Sequence, residues 1–474
     1  MGRSRGGCGN CKRRHRKCDQ TRPRCRSCEA LDVECDGYNR PLRWDVGSAY
    51  QRHFTSRPTP AGSTSYLTTA DVPPTSPVYS PQGPSDNPSP SHDTNIDEES
   101  GTSVLEAPEL TSQQRQQELH LVNEFFKENI YLLYSTRRDD DLPAQIAEIS
   151  HQSPVLTLII AAMHLYLNDP SDVSLPFQPY QTRGLALFRR QLDTYSGSLD
   201  VGVLCAGIFI CTLHLFQGAP WSFLLEHMMN VYKIPHRLFN QTLRSIQPIA
   251  RFLVECMGVL DMPTFVRGRS TITNGIWAQL RAAERAHGTD AFLGGIETMS
   301  GLPRSLLDIF AAIQEHDAES RFLDWQGEVG EVPATHLWEA YRCAGVLTAR
   351  RSKSVETRPS SADPRVSAEI LLSRLIAALD ALCETRRRPE YSASLACNSL
   401  LYPLVAARLE VALLRRHTIW LDTLRHIYRQ CQPYRDTANV GHVMEILDEA
   451  LENNDDSCDM DEQARRRQVE LALF

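Results

Sequence analysis

The chain has 474 residues, with 50 Lys and Arg against 58 Asp and Glu, which gives a formal net charge of −8 at pH 7. This length allows two or three domains, and the negative charge excludes a protein that binds nucleic acid through its overall charge. The average conceals an asymmetry, because residues 1–44 contain twelve Lys and Arg against five Asp and Glu and carry +7. The basic end therefore indicates a local site for an anionic partner.

Six of the fourteen cysteines are clustered near the N-terminus. Their pattern is C-x2-C-x6-C, repeated at an offset of seventeen residues, and its members are Cys8, Cys11, Cys18, Cys25, Cys28 and Cys35. The N-terminus lacks the apolar segment of a secretory signal, so we expect an intracellular, reducing environment. Clustered cysteines in such an environment are metal ligands rather than disulfide partners.

Zinc is the metal that this thiolate set predicts, since structural zinc takes four tetrahedral ligands. Six thiolates can hold one zinc ion with two thiolates left over, or two zinc ions that share two bridging sulfurs. The internal repeat favours two ions with one bridge from each half. Because the segment has few aliphatic side chains (Leu31, Val33 and Leu42), we expect metal binding to supply its folding free energy.

The two halves of the cysteine module differ in charge. The second half carries acidic and apolar residues at positions 29–34, whereas the first half carries a basic run that consists of Lys12, Arg13, Arg14, His15, Arg16 and Lys17. A short basic helix can enter the major groove, where Arg and Lys reach the O6 and N7 atoms of guanine. We therefore predict that these six residues contact double-stranded DNA.

Two alternative interpretations of the module stay open. The cysteines could hold one structural zinc ion in a protein-interaction module that does not bind DNA. Within a DNA-binding module, Arg13, Arg16 and Lys17 could neutralise phosphate without reading sequence. The basic run could also serve nuclear import, which is compatible with DNA binding.

The module resembles the fungal binuclear zinc cluster transcription factors from Gly7 to about Trp44, in particular over GCGNCKRRHRKCDQTRPRCRSCEALDVECDGY. The resemblance implies two zinc ions bridged by Cys8 and Cys25. It also implies that Cys11 and Cys18 complete one site, and that the other is completed by Cys28 and Cys35.

The same resemblance implies that base contacts come from Arg14 and His15, the third and fourth residues after the second cysteine. The family usually has lysine at the fourth position, so His15 departs from the pattern that accompanies a CGG-type half-site. Pro23, between the two halves, matches the loop proline of the family.

The remaining chain divides into a linker and a body. Residues 45–112 are rich in Ser, Thr and Pro and hold ten of the 28 prolines. Such a composition buries too little apolar surface to offset chain entropy and predicts disorder. We thus predict a zinc-cluster domain over residues 1–44, a disordered linker over 45–112 and an all-α body over 113–474.

Helical signals recur along the body. Ser153-Pro154 and Leu302-Pro303 are each typical of a helix start. The apolar run Val201–Phe216 is sixteen residues long, shorter than the about twenty that a bilayer needs, and predicts a buried helix rather than a membrane span. An earlier helix is predicted to bury one face, formed by Leu119, Val122, Phe126, Ile130 and Leu133.

The body also resembles, more diffusely, the fungal-specific helical regulatory domain that often follows such zinc clusters. Two enzyme motifs compete with this interpretation, a G-x-S-x-G string at Gly2–Gly6 and a magnesium-type D-D-x-x-D string at Asp455–Asp459. The first has no preceding strand, and the second has no companion metal motif and is better explained as a solvated acidic tail. We therefore predict no catalytic residue.

Taken together, these patterns predict a nuclear, sequence-specific regulator of RNA polymerase II genes that reads a short GC-rich half-site. Its partners would be double-stranded DNA and the transcription machinery or co-regulators, and a metabolic or secondary-metabolite gene set is the expected target. A homodimer stays open, since no sustained heptad pattern follows Cys35.

Overall fold

The structure is a computed structural model, and it divides the chain into two compact units, residues 1–102 and 103–474. It describes positions 11, 18, 25–31, 33, 112–172, 174–194, 197, 199–239, 248–286, 294–352, 366–434 and 436–474. The linker predicted over residues 45–112 lies outside the described residues except for Ser112, which begins a helix. The predicted domain boundaries stay predictions.

The first unit contributes one described helix, α1 (Arg26–Glu29). The helices of the first half of the second unit are α2 (Ser112–Glu128), α3 (Leu142–Gln152), α4 (Pro154–Asn168), α5 (Gln178–Asp193), α6 (Val201–Phe216), α7 (Ser222–Val231), α8 (Ile234–Phe239), α9 (Pro248–Leu260) and α10 (Ile276–Ala286). Those that follow are α11 (Arg304–Ala311), α12 (Ala318–Asp324), α13 (Val332–Ser352), α14 (Ala368–Thr385), α15 (Leu401–Arg408), α16 (Val411–Arg416), α17 (Thr418–Cys431), α18 (Ala438–Glu452) and α19 (Met460–Arg467). Short 3-10 helices span Ile130–Leu132, Pro389–Tyr391 and Ala396–Ser399.

The predicted helix starts agree with the structure. The Ser153 hydroxyl accepts a hydrogen bond from Leu156 N at 3.4 Å and caps α4, with Pro154 in the first turn. The carboxylate of Asp200 caps α6 in the same way, accepting from Val203 N at 3.1 Å. Nearly every residue of α6 is buried, as predicted for Val201–Phe216. In the described part of the chain, no helix combines the length and the apolarity that a membrane crossing requires.

The buried face of α2 differs from the predicted one. Val122 is buried as expected, but Phe125 rather than Phe126 is the aromatic side chain with no exposed surface, and Leu119 is 40% exposed. The helix ends at Glu128, so Ile130 and Leu133 leave its period, and Ile130 is buried from a 3-10 turn instead. Phe125 and Phe126 follow Val122 by three and four residues, so either ring could lie on its face of the helix. The sequence therefore did not determine which of the two rings is buried.

The core of the second unit is centred on stacked aromatic rings. The ring of Phe265 lies 5.2 Å from that of Phe310 and 5.1 Å from that of Tyr402, and Tyr341 lies 5.3 Å from Tyr402. Phe322 extends the group, at 4.8 Å from Phe310. All five side chains are buried, and such edge and offset contacts add to the stability that burial alone supplies. Long helices α13 and α14 pack along each other beside this centre.

The C-terminal segment returns to the core, although Asp456 and Asp459 in the acidic stretch before it are exposed, as predicted. Strand β1 (Val266–Arg267) pairs antiparallel with β2 (Leu471–Ala472). Leu473 N donates to Phe265 O at 2.9 Å, and Asn439 Nδ2 donates to Ala472 O at 2.8 Å. A short apolar sequence after the acidic stretch is therefore buried by backbone pairing, which the composition of the stretch did not indicate.

The acidic residues before this segment form hydrogen bonds that organise the local chain. Asp455 Oδ1 accepts hydrogen bonds from the backbone N and the hydroxyl of Ser457, at 3.0 and 2.6 Å. Asp456 Oδ1 accepts from Ala412 N at 3.1 Å, and Asp459 caps α19. Each carboxylate thus has a structural partner close by.

The cysteines of the second unit are core residues. Cys205 and Cys211 have no exposed surface, as predicted from their apolar run, and burial raises the pKa of the Cys205 thiol to about 12. Cys383 and Cys431 form a disulfide that joins α14 to α17. Their separation of 48 residues gave no sequence indication of this pair.

His214 in α6 supplies a pH-dependent contribution to stability. It is 5% exposed, and burial lowers its pKa to about 4, a shift that the backbone at Pro220 only partly opposes. Because the unfolded pKa is about 6.5, the unfolded chain binds this proton first, so stability is lost as pH falls from about 6.5 to about 4. We expect this residue to account for up to about 3 kcal/mol of that loss.

The measurement is urea unfolding, followed by helical circular dichroism at several pH values, of the wild type and of His214→Gln. The difference in unfolding free energy between the two proteins isolates this residue, because the other histidines are common to both. A difference that stays constant from pH 7 to pH 4 would contradict the assignment.

Candidate metal centre and nucleic-acid interface

Three cysteine sulfurs of the first unit converge in a buried group. The Sγ atom of Cys11 lies 3.7 Å from that of Cys25 and 3.9 Å from that of Cys28, and all three atoms lie within 4.8 Å of one another. Tetrahedral zinc with Zn–S bonds of about 2.3 Å places its sulfurs about 3.8 Å apart. The separations therefore suit thiolates that share a zinc centre, and the soft donor set is the one that zinc selects.

The second C-x2-C pair is positioned by the short helix α1. Cys25 is the N-cap residue, and its Sγ accepts a hydrogen bond from Cys28 N at 3.3 Å, while its carbonyl accepts from Glu29 N at 3.1 Å. One helical turn thus brings the Cys28 sulfur to the same side as the Cys25 sulfur. A backbone N–H that points at sulfur also offsets the negative charge of a metal-bound thiolate.

The chain turns back after this helix and closes over the sulfurs. Cys28 O accepts hydrogen bonds from Leu31 N at 3.2 Å and Val33 N at 3.1 Å, and Val33 packs against the cysteine cluster. Leu31 itself is 46% exposed. Among the described residues of this segment, sulfur and backbone contacts hold the cluster, and Val33 is the apolar side chain packed against it.

Burial distinguishes the described cysteines from the polar residues around them. Cys25 has no exposed surface, Cys28 is 2% exposed, Cys11 4% and Cys18 5%, so Cys18 belongs to the same buried cluster. Arg26 and Glu29 are exposed. The sulfurs are thus shielded from solvent while the charged side chains of α1 face it.

The other predicted site residues lie outside the described residues. They are the two cysteines Cys8 and Cys35 and the six predicted DNA contacts Lys12, Arg13, Arg14, His15, Arg16 and Lys17. Their roles remain predictions from the sequence. We did not predict from the sequence that Cys25 caps a helix. Its sulfur can accept a hydrogen bond and it directly precedes Arg26–Glu29, which could have indicated this role.

Comparison with known families decides what this cluster is. Residues 6–45 match the family described as "Fungal Zn(2)-Cys(6) binuclear cluster domain". Residues 6–45 are a fungal binuclear zinc cluster domain. A Zn(2)-Cys(6) domain binds two zinc ions, so the prediction of two zinc ions and the predicted resemblance to fungal binuclear zinc cluster transcription factors are both confirmed.

The chain spans less than a tenth of the length of the curated relatives it matches. The chain is 46% identical over 48 residues to pestheic acid cluster transcriptional regulator 3 of Pestalotiopsis fici, covering 10% of this chain and 8% of the relative. It is 37% identical over 73 residues to sterol uptake control protein 2 of Saccharomyces cerevisiae, covering 15% and 8%. It is 54% identical over 38 residues to an aspercryptin biosynthesis cluster-specific transcription regulator of Emericella nidulans, covering 8% and 6%. No solved structure matches the chain significantly.

Proposed function

We propose that this protein is a sequence-specific DNA-binding transcription regulator of RNA polymerase II genes that acts in the nucleus. The binuclear zinc cluster domain at residues 6–45 carries the proposal. Its cysteines lie in a segment with a strongly basic first half, and two of the relatives that match part of the chain are named as transcription regulators. A positively charged, metal-stabilised surface of this size suits the major groove.

Within the cluster we assign the two bridging positions to Cys8 and Cys25. Cys11 and Cys18 then complete one zinc site, and Cys28 and Cys35 complete the other. The Cys25 sulfur supports this assignment because it lies 3.7 Å from that of Cys11 and within 4.8 Å of that of Cys28, so it has a sulfur of each proposed site within reach.

The basic run from Lys12 to Lys17 is the proposed DNA-contacting surface. Arg14 and His15 would contact base edges of a short GC-rich half-site, with Arg14 donating to the O6 and N7 atoms of guanine. Arg13, Arg16 and Lys17 would contact phosphates, which gives affinity a steep dependence on salt.

The helical body is the proposed regulatory domain. It would contact the transcription machinery or co-regulators and could join two copies into a homodimer that reads paired half-sites. Two of the relatives are named for biosynthetic or product-specific gene clusters, which supports a metabolic or secondary-metabolite gene set as the target.

The two kinds of DNA contact should separate in binding assays. We expect Arg14→Ala to reduce discrimination between the selected site and a scrambled site by about tenfold or more, since a bidentate base contact contributes about 1–3 kcal/mol of discrimination. Lys17→Ala should weaken binding to both sites alike and lower the salt slope by about one. The measurement is a gel-shift titration of the zinc-loaded full chain at several salt concentrations, on a site selected from random DNA.

Equal losses on selected and scrambled DNA for both variants would contradict these assigned roles. The protein-interaction alternative makes a different prediction, that the zinc-loaded chain fails to bind duplex DNA even at low ionic strength. Arg465→Ala is the matched control, because this exposed arginine belongs to the helical body and lies far along the chain from the cluster.

A further inference from the structure

A cavity of about 570 Å³ lies in the helical body. Strand β1, the ends of α13 and α15, and the start of α19 supply its walls. One part of the lining is apolar and includes Val266, Ile313, Val405 and Leu473. This volume lies in the range of sites that hold small organic ligands.

Four arginines line the cavity, and three of them are ion-paired within the protein. Arg269 Nη2 lies 2.7 Å from Asp261 Oδ1, and Arg351 Nη1 lies 3.5 Å from Glu410 Oε1. Arg465 is paired with Asp461. These three charges therefore have local counter-charges.

Arg267, the fourth, differs from the others. Its Nη1 donates to the carbonyl oxygens of Pro263 at 2.7 Å and Val266 at 3.2 Å. Within the described part of the chain, no carboxylate lies within 4.0 Å of this guanidinium, and its Nε and Nη2 have no protein acceptor. The two backbone carbonyls fix the guanidinium but do not neutralise it.

Asp459 is the cavity-lining carboxylate without an arginine partner, and it is hydrogen-bonded to the backbone at the start of α19. Its Oδ1 accepts hydrogen bonds from Asp461 N at 2.8 Å and Glu462 N at 3.4 Å, as the cap of α19. Burial lowers the pKa of Arg267, and the neighbouring Tyr402 and Asp459 only partly oppose that shift. A cation that is held only by backbone carbonyls favours an incoming anion.

We propose that this cavity binds a small monocarboxylate with an apolar body, whose carboxylate pairs with Arg267. The free Nε and Nη2 donors form the fork that binds a carboxylate through two hydrogen bonds. The apolar wall accepts the rest of the ligand. A single available cation next to Asp459 favours a monoanion over a doubly charged phosphate. Such a site would give the regulator a metabolite-sensing input separate from its DNA contacts.

The first test compares a carboxylate with its neutral counterpart on the zinc-loaded full chain. Isothermal titration calorimetry is performed with 4-phenylbutyrate, 4-phenylbutanol and inorganic phosphate. We expect saturable binding of 4-phenylbutyrate that is at least about tenfold tighter than that of the alcohol, because a charge-assisted pair is lost with the alcohol. No saturable binding of the acid, or equal or tighter binding of the alcohol or of phosphate, would overturn the proposal.

Variants then locate the site. Arg267→Gln should weaken the binding of 4-phenylbutyrate by about tenfold or more. Arg267→Lys keeps the charge but loses the two-donor fork, so its affinity should lie between those of Arg267→Gln and the wild type. Arg387→Gln is the control, because this arginine is 56% exposed, is paired with Glu384 at 2.6 Å and does not line the cavity, and it should leave affinity within about twofold.

A separate variant addresses the structural role of Arg267 in holding two carbonyls. Leu409→Trp adds bulk at the cavity wall and leaves the contacts of Arg267 unchanged, so it should abolish binding in a chain whose melting curve is unaltered. Unchanged affinity in both Leu409→Trp and Arg267→Lys would overturn the assignment to this cavity.

Discussion

The variant Cys25→Ser is expected to lose at least one of the two zinc ions and to lower affinity for the selected DNA site by more than about a hundredfold. The Cys25 side chain has no exposed surface, and its sulfur lies 3.7 Å from that of Cys11. Structural zinc supplies about 10–16 kcal/mol to the folding of small domains, and this segment has little apolar core to replace it. Without the metal, we expect the zinc cluster domain to unfold and the proposed DNA contacts to be lost.

Serine is the informative replacement because Cys25 has a second role as the N-cap of α1. A serine hydroxyl is a good N-cap acceptor, so it can accept the hydrogen bond from Cys28 N while being a poor zinc ligand. Any loss of metal in Cys25→Ser therefore reports on the ligand role and not on the start of the helix.

Native mass spectrometry of the full chain gives the zinc stoichiometry, and gel-shift titration gives the affinity. The matched control is Cys397→Ser, a cysteine that is also buried, at 8% exposure, but lies in the helical body. It should retain two zinc ions and wild-type DNA affinity. Two zinc ions retained by Cys25→Ser would disprove the assigned role.

The zinc cluster could be predicted from sequence because its chemistry depends on spacing. Cys25 and Cys28 are separated by one helical turn, which brings their sulfurs together through local geometry alone. Helix starts such as Ser153-Pro154 were predictable for the same reason, since a cap depends on hydrogen bonds within four residues.

Features that depend on distant contacts could not be predicted. The burial of Phe125 rather than Phe126 depends on which neighbour packs against α2, and Phe209 of α6 is the partner ring, 6.1 Å from Phe125. Likewise, Arg267 has no distinguishing pattern in the sequence. Its importance appears only when the ion pairs of the other arginines around the cavity are known.

The largest stability effect in the body is expected at Asp261, which follows α9. It is 1% exposed and accepts hydrogen bonds from Arg269 Nη2 at 2.7 Å, Thr273 Oγ1 at 3.0 Å, Asn274 N at 3.0 Å and Ile276 N at 3.2 Å. One carboxylate thus closes the loop between β1 and α10. Asp261→Ala leaves a buried arginine and two backbone donors without their acceptor.

Breaking a buried ion pair from one side costs about 3–5 kcal/mol, and we expect Asp261→Ala to lower the free energy of unfolding by that amount. Asp261→Asn keeps an oxygen acceptor but removes the charge, so its free energy of unfolding should lie between those of Asp261→Ala and the wild type. Urea unfolding, followed by the loss of helical circular dichroism, is the measurement. The surface control is Asp422→Ala, whose side chain is 74% exposed and lies 3.5 Å from Arg425, and it should leave the unfolding midpoint unchanged.

The order of the two Asp261 variants distinguishes charge from hydrogen bonding as the source of the stability. If Asp261→Asn were as stable as the wild type, the backbone donors at Asn274 and Ile276 would account for the whole contribution, and the ion pair with Arg269 would add nothing. If Asp261→Asn were as unstable as Asp261→Ala, the charge would account for it. An intermediate value is expected because Arg269 is nearly buried, with 8% of its side chain exposed, so its guanidinium loses a counter-charge that solvent cannot replace.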